Sequence, residues 1–272
     1  MEREFHLTFY PQIEELIQEV DALLIASPTY SHYSIAVQAL KSGKHVFIEK
    51  PVCLTSEESK KLLLYAQESG AVVQVGHVER FNPALEAAMQ YIDKPLFIES
   101  RRLSPFQKRG TDVSVVYDLM IHDIDIALKI TNSNIKKITS FGMSVLSDSV
   151  DYASVRLEFE NGCMANLTAS RVADIRERKT CFFMNDTQVN VDFLNKDADR
   201  IQICKEKPGD NQMKCHKISV DNSNAIKQEL TSFAQSIHHA VKSAVNLEDA
   251  HRALQIAELI SDQIQASNYL TK

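Results

Sequence analysis

The sequence predicts an α/β chain in two parts: a short parallel α/β sheet over residues 1–80, then an α+β region over residues 81–272 built on an antiparallel sheet. Three observations predict this. Between Tyr10 and Val78, short apolar runs alternate with amphipathic stretches of helical length. After Phe81 the runs alternate apolar with polar residues, as strands with one covered face do. Helical spacing returns at the end, over residues 225–245 and 247–266.

The elements follow in order. P11-Q-I-E-E-L-I-Q-E-V20 carries apolar residues at helical spacing. D21-A-L-L-I-A-S-P28 is a continuous apolar run stopped by proline, the pattern of a strand buried on both faces. The helix S31-H-Y-S-I-A-V-Q-A-L-K-S-G43 has Ser31 as its expected N-cap and Gly43 as its terminator. K44-H-V-F-I-E-K-P51 is a second buried strand. T55-S-E-E-S-K-K-L-L-L-Y-A-Q-E-S-G70 is a helix with Thr55 or Ser56 as N-cap, acids in its first turn and Gly70 at its end. A71-V-V-Q-V-G-H77 is a third strand. Beyond it, a strand is expected at L96–L103 and a helix at V115–I130. Further strands are expected at residues 135–145, 152–159, 163–170, 179–185 and 188–193, with E160-N-G162 as a hairpin turn.

Composition narrows the class of protein. Hydrophobic residues make up 44% of 272, enough for a sizeable core, and a net charge of −6 with no basic block argues against nucleic-acid binding. The five cysteines, at 53, 163, 181, 204 and 215, form no C-x-x-C pair, so reduced thiols are expected. No apolar run approaches the roughly 20 residues that span a bilayer. The opening M-E-R-E-F-H lacks the marks of a secretory signal, and a cytoplasmic location without membrane partners is the expectation.

Two constellations could carry chemistry. Ligands of open α/β sheets bind at the carboxyl ends of the strands, where Glu49, Lys50 and Pro51 end one strand and Pro28, Thr29 and His32 follow another. A lysine held there can donate to a substrate oxygen, although a solvated strand end would read the same way. The second is D118-L-M-I-H122-D-I-D125. On an α-helix these three polar residues share one stripe of an otherwise apolar surface, and an acid beside a histidine suits a general base near neutral pH. No further ligand stands at a recognisable spacing, so no metal is expected. Arg80, Arg101, Arg102 and Arg109 could clamp a phosphate bidentately.

Taken together, A26-S-P-T-Y-S-H32, F47-I-E-K-P51 and D118-x-x-x-H122 resemble the Gfo/Idh/MocA oxidoreductases in order and spacing, from about Phe5 to Gln265. The resemblance implies a Rossmann-type sheet followed by that family's open antiparallel-sheet domain. V75-G-H-V-E-R-F-N-P83, R109-G-T-D-V113 and D118-L-M-I-H-D-I-D125 are most similar to the branch that oxidises the 3-hydroxyl of UDP-N-acetylglucosamine, a step toward the 3-amino sugars of lipid A type glycolipids. By resemblance, Lys50 contacts the reacting oxygen, His122 takes its proton and Asp118 orients substrate or base. Pro28, Thr29, His32, Glu49, Lys50 and Pro51 border NAD, or NADP. Arg80, Asn82, Arg109 and Asp125 are the candidate sugar-nucleotide contacts. A homo-oligomer through the second sheet is also implied.

One departure stands out. The seven glycines, at 43, 70, 76, 110, 142, 162 and 209, contain no G-x-G-x-x-G. Those glycines let backbone approach a pyrophosphate at a helix N-terminus. F5-H-L-T8 is then expected as an edge strand without its usual neighbours, and the reading frame is expected to begin roughly 40–50 residues upstream, about one and a half βαβ units. The alternative is a fragment or a non-catalytic paralogue that binds sugar nucleotide or partners without redox activity.

Overall fold

A computed structural model describes residues 7–107, 111, 113–207 and 210–267. The chain divides into two compact units. Residues up to Gly76, together with Leu230–His251, form the first; His77–Glu229 with Arg252 onward form the second.

In the first unit, α1 (Ile13–Glu19), β1 (Ala22–Ile25), α2 (Thr29–Lys41), β2 (His45–Glu49), α3 (Ser56–Ser69) and β3 (Val73–Gly76) alternate as expected. The three strands pair in parallel in the order β1-β2-β3. Right-handed crossover helices bring successive parallel strands side by side, and this alternation is what the sequence pattern encodes. Val46, Phe47 and Ile48 are buried consecutively, as is all of β3. Thr55 caps α3 by accepting the Glu58 N–H at 3.2 Å, and Gly70 closes it at φ 64°.

Three details differ from the sequence reading. β1 is the edge strand, so Leu24 is 51% exposed rather than buried on both faces. Leu7 and Thr8 form no strand; Phe5 and His6 lie outside the described residues. α2 begins at Thr29 after Pro28, two residues before the expected cap, and the Ser31 hydroxyl donates back to the Pro28 carbonyl at 2.8 Å.

The segment 230–251 belongs with this unit rather than with the 81–272 domain expected from sequence. Its reasons are local. Phe233 packs edge-on against Phe47 at 5.8 Å between ring centroids. The Val245 carbonyl accepts from Val75 N–H at 3.0 Å, and the Ser243 hydroxyl donates to the Val73 carbonyl at 2.6 Å, so residues 243–245 line the outer side of β3. For that the chain must leave the helix early. α6 (Ala225–His238) ends seven residues short of the expected 245, and Ala240 turns at φ 51°.

The second unit starts with a 3₁₀ turn (Val78–Phe81) and the short α4 (Pro83–Ala88). β4 (Phe97–Leu103) follows, then a π-helical turn (Val116–Met120) running into α5 (Ile121–Thr131). β5 (Ile135–Met143), β6 (Tyr152–Phe159), β7 (Met164–Ser170), β8 (Glu177–Phe183), β9 (Thr187–Asp192), β10 (Asp197–Lys207) and β11 (Asp210–Lys217) complete an eight-stranded sheet. Its order is β11-β10-β9-β8-β4-β7-β6-β5. All its pairs are antiparallel except β4 with β7, because α5 carries the chain across the sheet before the β5-β6-β7 meander returns beside β4. The E-N-G hairpin is present, with Gly162 at φ 89° and Asn161 Oδ1 accepting the Cys163 N–H. Ile121, Ile124 and Leu128 of α5, and Ala253, Ala257, Ile260 and Ile264 of α7 (Leu247–Ala266), join Val155, Leu157 and Leu167 in one core. At Gly142 an added Cβ would lie 2.8 Å from Ile264 Cδ1, which fixes how closely this part of α7 approaches β5.

Candidate active site

In the first unit, the strand ends position the residues expected to border a cofactor. Glu49 is the last residue of β2, and Lys50–Pro51 is a cis peptide. Gly76 lies beside Glu49: a Cβ there would meet Glu49 Oε2 at 2.8 Å and Glu49 Cα at 3.3 Å, so any larger residue would have to displace the Glu49 carboxylate and ease the two strands slightly apart. Pro28 and Thr29 open α2, whose first turn has no side-chain cap. His32 is buried beneath them. Its Nδ1 lies 2.9 Å from the Pro51 carbonyl and its Nε2 lies 2.8 Å from the Ser27 carbonyl, tying the loop after β1 to the loop after β2. Lys50 is half-buried at this edge.

In the second unit the polar stripe spans a change of helix type. A π turn closes i to i+5 over Val116–Met120 and contains Asp118, and α5 carries His122 and Asp125. Both are half-buried. Asp125, three residues after His122, is buried and held bidentately: Arg80 Nε reaches Oδ2 at 2.6 Å and Nη2 reaches Oδ1 at 2.5 Å. His77 Nδ1 lies 3.9 Å from the same Oδ2, and the His77 ring stands perpendicular to the His122 ring at 6.1 Å. Arg80, His77, Asp125 and His122 are thus one cluster, drawn from the turn after β3 and from α5. His77 carries no role in the sequence reading. The visible signal for it was its place directly after a strand, in H77-V-E-R80, beside a residue already singled out.

A second cluster lies on the other side of α5. Residues two apart on a helix point about 200° apart, so Asp123 turns away from Asp125. It accepts from Arg102 Nε at 3.0 Å and Nη2 at 2.9 Å, while Arg102 Nη1 donates to Glu79 at 2.7 Å. Burial works against the Arg102 charge, but Asp123 and Glu79 more than offset it and hold the guanidinium pKa above its ordinary value. Phe193 lies 5.8 Å from this guanidinium, and Arg178 approaches Glu79 at 3.6 Å.

Asn82 belongs to this second cluster. Its amide donates to Glu79 at 3.1 Å and to the Phe193 carbonyl at 3.0 Å, and its oxygen caps α4 through the Ala84 N–H. Arg102 is buried, not a surface clamp; Arg101, its neighbour on the strand, faces the opposite side and pairs with Glu177 at 3.4 Å. Arg109 lies outside the described residues. Among those described, no group of three His, Cys, Asp or Glu side chains could hold a metal ion, and no helix is long and apolar enough to cross a membrane.

Comparison with known proteins supplies the family context. Residues 1–77 match the model of an oxidoreductase family with an NAD-binding Rossmann fold, and residues 89–190 match the GFO/IDH/MocA C-terminal domain. UDP-N-acetylglucosamine 3-dehydrogenase of Acidithiobacillus ferrooxidans is 38% identical over 187 residues, 68% of this chain and 60% of that protein. The NAD(+)-dependent scyllo-inositol 2-dehydrogenase of Bacillus subtilis is 32% identical over 170 residues, 57% of this chain and 49% of that protein. These alignments span about half to three-fifths of the relatives' lengths. A solved structure of the A. ferrooxidans enzyme superposes with a TM-score of 0.92 at 30% identity, covering 99% of this chain and 86% of that one.

Proposed function

Because this chain belongs to the Gfo/Idh/MocA oxidoreductase family, we propose that it serves the NAD-dependent oxidation of a sugar nucleotide, at the 3-hydroxyl of UDP-N-acetylglucosamine. The observation that carries the substrate is the match to UDP-N-acetylglucosamine 3-dehydrogenase across almost the whole of this chain.

Oxidising a secondary alcohol removes a hydride from carbon and a proton from oxygen. When bound, NAD supplies the acceptor for the hydride. The proton is the task of the chain. His122 takes it, as a base held on α5, and such a base typically contributes about 10²–10⁴-fold. Lys50 donates a hydrogen bond to the oxygen that loses the proton, stabilising negative charge as it develops. Asp118 orients the substrate hydroxyl or His122. Pro28, Thr29, Glu49 and Pro51 form the cofactor rim. Their fit rests on two features of the strand ends: the first turn of α2, which has no side-chain cap, and the close approach of β3 to Glu49 at Gly76. The second sheet's outer face carries partly exposed Phe97, Phe141, Met164 and Phe183, and we assign it to pairing with a second copy. The keto product is suited to amination, toward a 3-amino sugar.

The test is NADH formation by the full chain with UDP-N-acetylglucosamine. His122→Gln and Lys50→Met are each expected to lower kcat by about 10²-fold or more without changing the unfolding midpoint. Full activity in either variant removes its assigned role. Calorimetry with NAD and with UDP-N-acetylglucosamine gives a second check: sugar-nucleotide binding without NAD binding would replace this reading with a binding role that involves no hydride transfer.

A further inference from the structure

We propose that Arg80 and Asp125 form a charge-balancing pair for His122: the guanidinium cancels the buried carboxylate, so that His77 and His122 remain neutral and His122 is free to accept a proton. The last clause rests on the function proposed above. The charge balance itself does not.

Four contacts carry the inference. Asp125 is 1% exposed, so its charge is not screened by water. Both of its oxygens receive Arg80, with the short, planar geometry of a charge-assisted fork. His77 Nδ1 lies 3.9 Å from Oδ2, too far for a hydrogen bond but within reach of the charge. The His77 ring meets the His122 ring at a right angle, 6.1 Å between centroids, which places both imidazoles in one cluster with the pair.

A buried carboxylate 3.9 Å from an imidazole, as Asp125 is from His77, ordinarily favours the protonated ring by about one to three pH units, and His122 stands three residues before Asp125 on the same helix. A histidine charged in advance cannot act as a base. Arg80 removes that bias. Arginine suits the task because it stays charged throughout the working range and matches both carboxylate oxygens at once.

Of the other charged groups around His122, one set is balanced within itself and one is constant across the variants compared below. Asp123, on the same helix, is closed onto Arg102 from β4, which also holds Glu79 of the 78–81 turn; Arg178 of β8 joins them at Glu79. Asp118, half-buried on the preceding turn, favours the charged ring equally in wild type and in every variant of Arg80 and Asp125, so it drops out of their differences. Arg80 and His77 are therefore positioning residues in this scheme. Neither needs to touch substrate.

The experiment is a histidine NMR titration of the full chain, with the His122 resonance assigned by its loss in His122→Gln. Arg80→Gln leaves Asp125 uncancelled, and the midpoints of His77 and His122 are expected to rise by about one unit or more. Asp125→Asn keeps the shape of the fork but leaves Arg80 alone, and both midpoints are expected to fall. Arg80→Gln combined with Asp125→Asn restores neutrality and returns them to within a few tenths of wild type. Unchanged midpoints, or shifts of the same sign in the two single variants, overturn the proposal. If Arg80→Gln does not fold, Arg80→Lys replaces it. Lysine keeps the charge and loses the fork, so the His122 midpoint stays at the wild-type value while the unfolding temperature drops; a midpoint that rises sinks the idea. The acid limb of kcat/KM with UDP-N-acetylglucosamine is read in parallel. If the NMR midpoints move as stated and the acid limb does not follow, the charge balance stands and the base role of His122 is lost.

Discussion

Asp123 and Asp125 sit two residues apart on α5, each gripped by the Nε–Nη2 edge of an arginine, yet the surroundings of the two pairs differ. Arg102 is closed in by Asp123, Glu79 and Phe193, and Glu79 is tied in turn by Asn82 and Arg178. Those partners come from α5, the 78–81 turn, the cap of α4, β8 and the loop after β9, so the cluster links five parts of the second unit. Arg80 and Asp125 instead border two imidazoles. Identical chemistry on one helix therefore does two jobs. The neighbour at the open side of the pair, a carboxylate in one case and a histidine in the other, decides which.

The comparison is broken most severely by removing the scaffold arginine. Arg102→Met leaves Asp123 and Glu79 buried around a neutral side chain. Stripping one partner from a buried ionic group typically costs about 3–5 kcal/mol, and urea unfolding is expected to show a loss of that size. A loss below about 1 kcal/mol would mean that water reaches these carboxylates and that the two clusters are alike.

Next in size is the contrast between the aspartates themselves. Asp123→Asn removes a charged acceptor from a guanidinium with no exposed side, and about 3 kcal/mol of stability is expected to go with it. Asp125→Asn should lose less, because the Arg80 side chain keeps 9% of its surface in solvent. Its larger effect is expected in the histidine midpoints. Equal stability losses in the two variants would remove the distinction drawn here.

A third buried aspartate sharpens the point from outside α5. Asp151 is 0% exposed, and its Oδ2 accepts three successive backbone N–H groups, from Val145, Leu146 and Ser147. Burial pushes its pKa upward, but the Ser147 hydroxyl and those amides outweigh burial and hold it below the ordinary carboxylate value. A depressed folded-state pKa stabilises the protein above the unfolded value and loses that contribution as pH falls through the folded one. Wild type is therefore expected to lose stability on acidification below about pH 4, and Asp151→Asn to be less stable near neutrality by about 1.5–3 kcal/mol with a flatter acid limb. An Asp151→Asn variant that keeps the wild-type acid slope refutes this assignment.

Local chemistry made part of this legible. Three strands alternating with two helices, the Thr55 cap, the Gly70 and Gly162 turns and the existence of a helix bearing His122 all follow from patterns a few residues long. What escaped depends on distant partners. The sequences of β10 and β11 are largely polar, as those of an edge hairpin can be, so periodicity passed over them; the Pro-Gly dipeptide at 208–209, between two runs, was their only local mark. Residues 230–251 read as part of a terminal helix pair, because only the outer side of β3 tells Ser243 and Val245 where to go. Arg80, Asp123 and Asp125 were visible as charged residues, but which arginine meets which aspartate is set by tertiary placement. The π turn over Val116–Met120, within which Asp118 lies, is announced by no residue.

The smallest effect tests the outer limit of the scaffold cluster. Arg178 approaches Glu79 at 3.6 Å, but its side chain is 49% exposed. Pairs of this kind contribute about 0–1 kcal/mol, since water screens the charge and ordering a long side chain opposes the contact. Arg178→Ala is therefore expected to move the urea midpoint barely, and raised salt should erase what difference exists. The buried pairs should be insensitive to the same salt. If Arg178→Ala destabilises as much as Asp123→Asn, Glu79 relies on both arginines equally, and the Arg102 cluster extends to the solvent-facing edge of β8 instead of ending at the core.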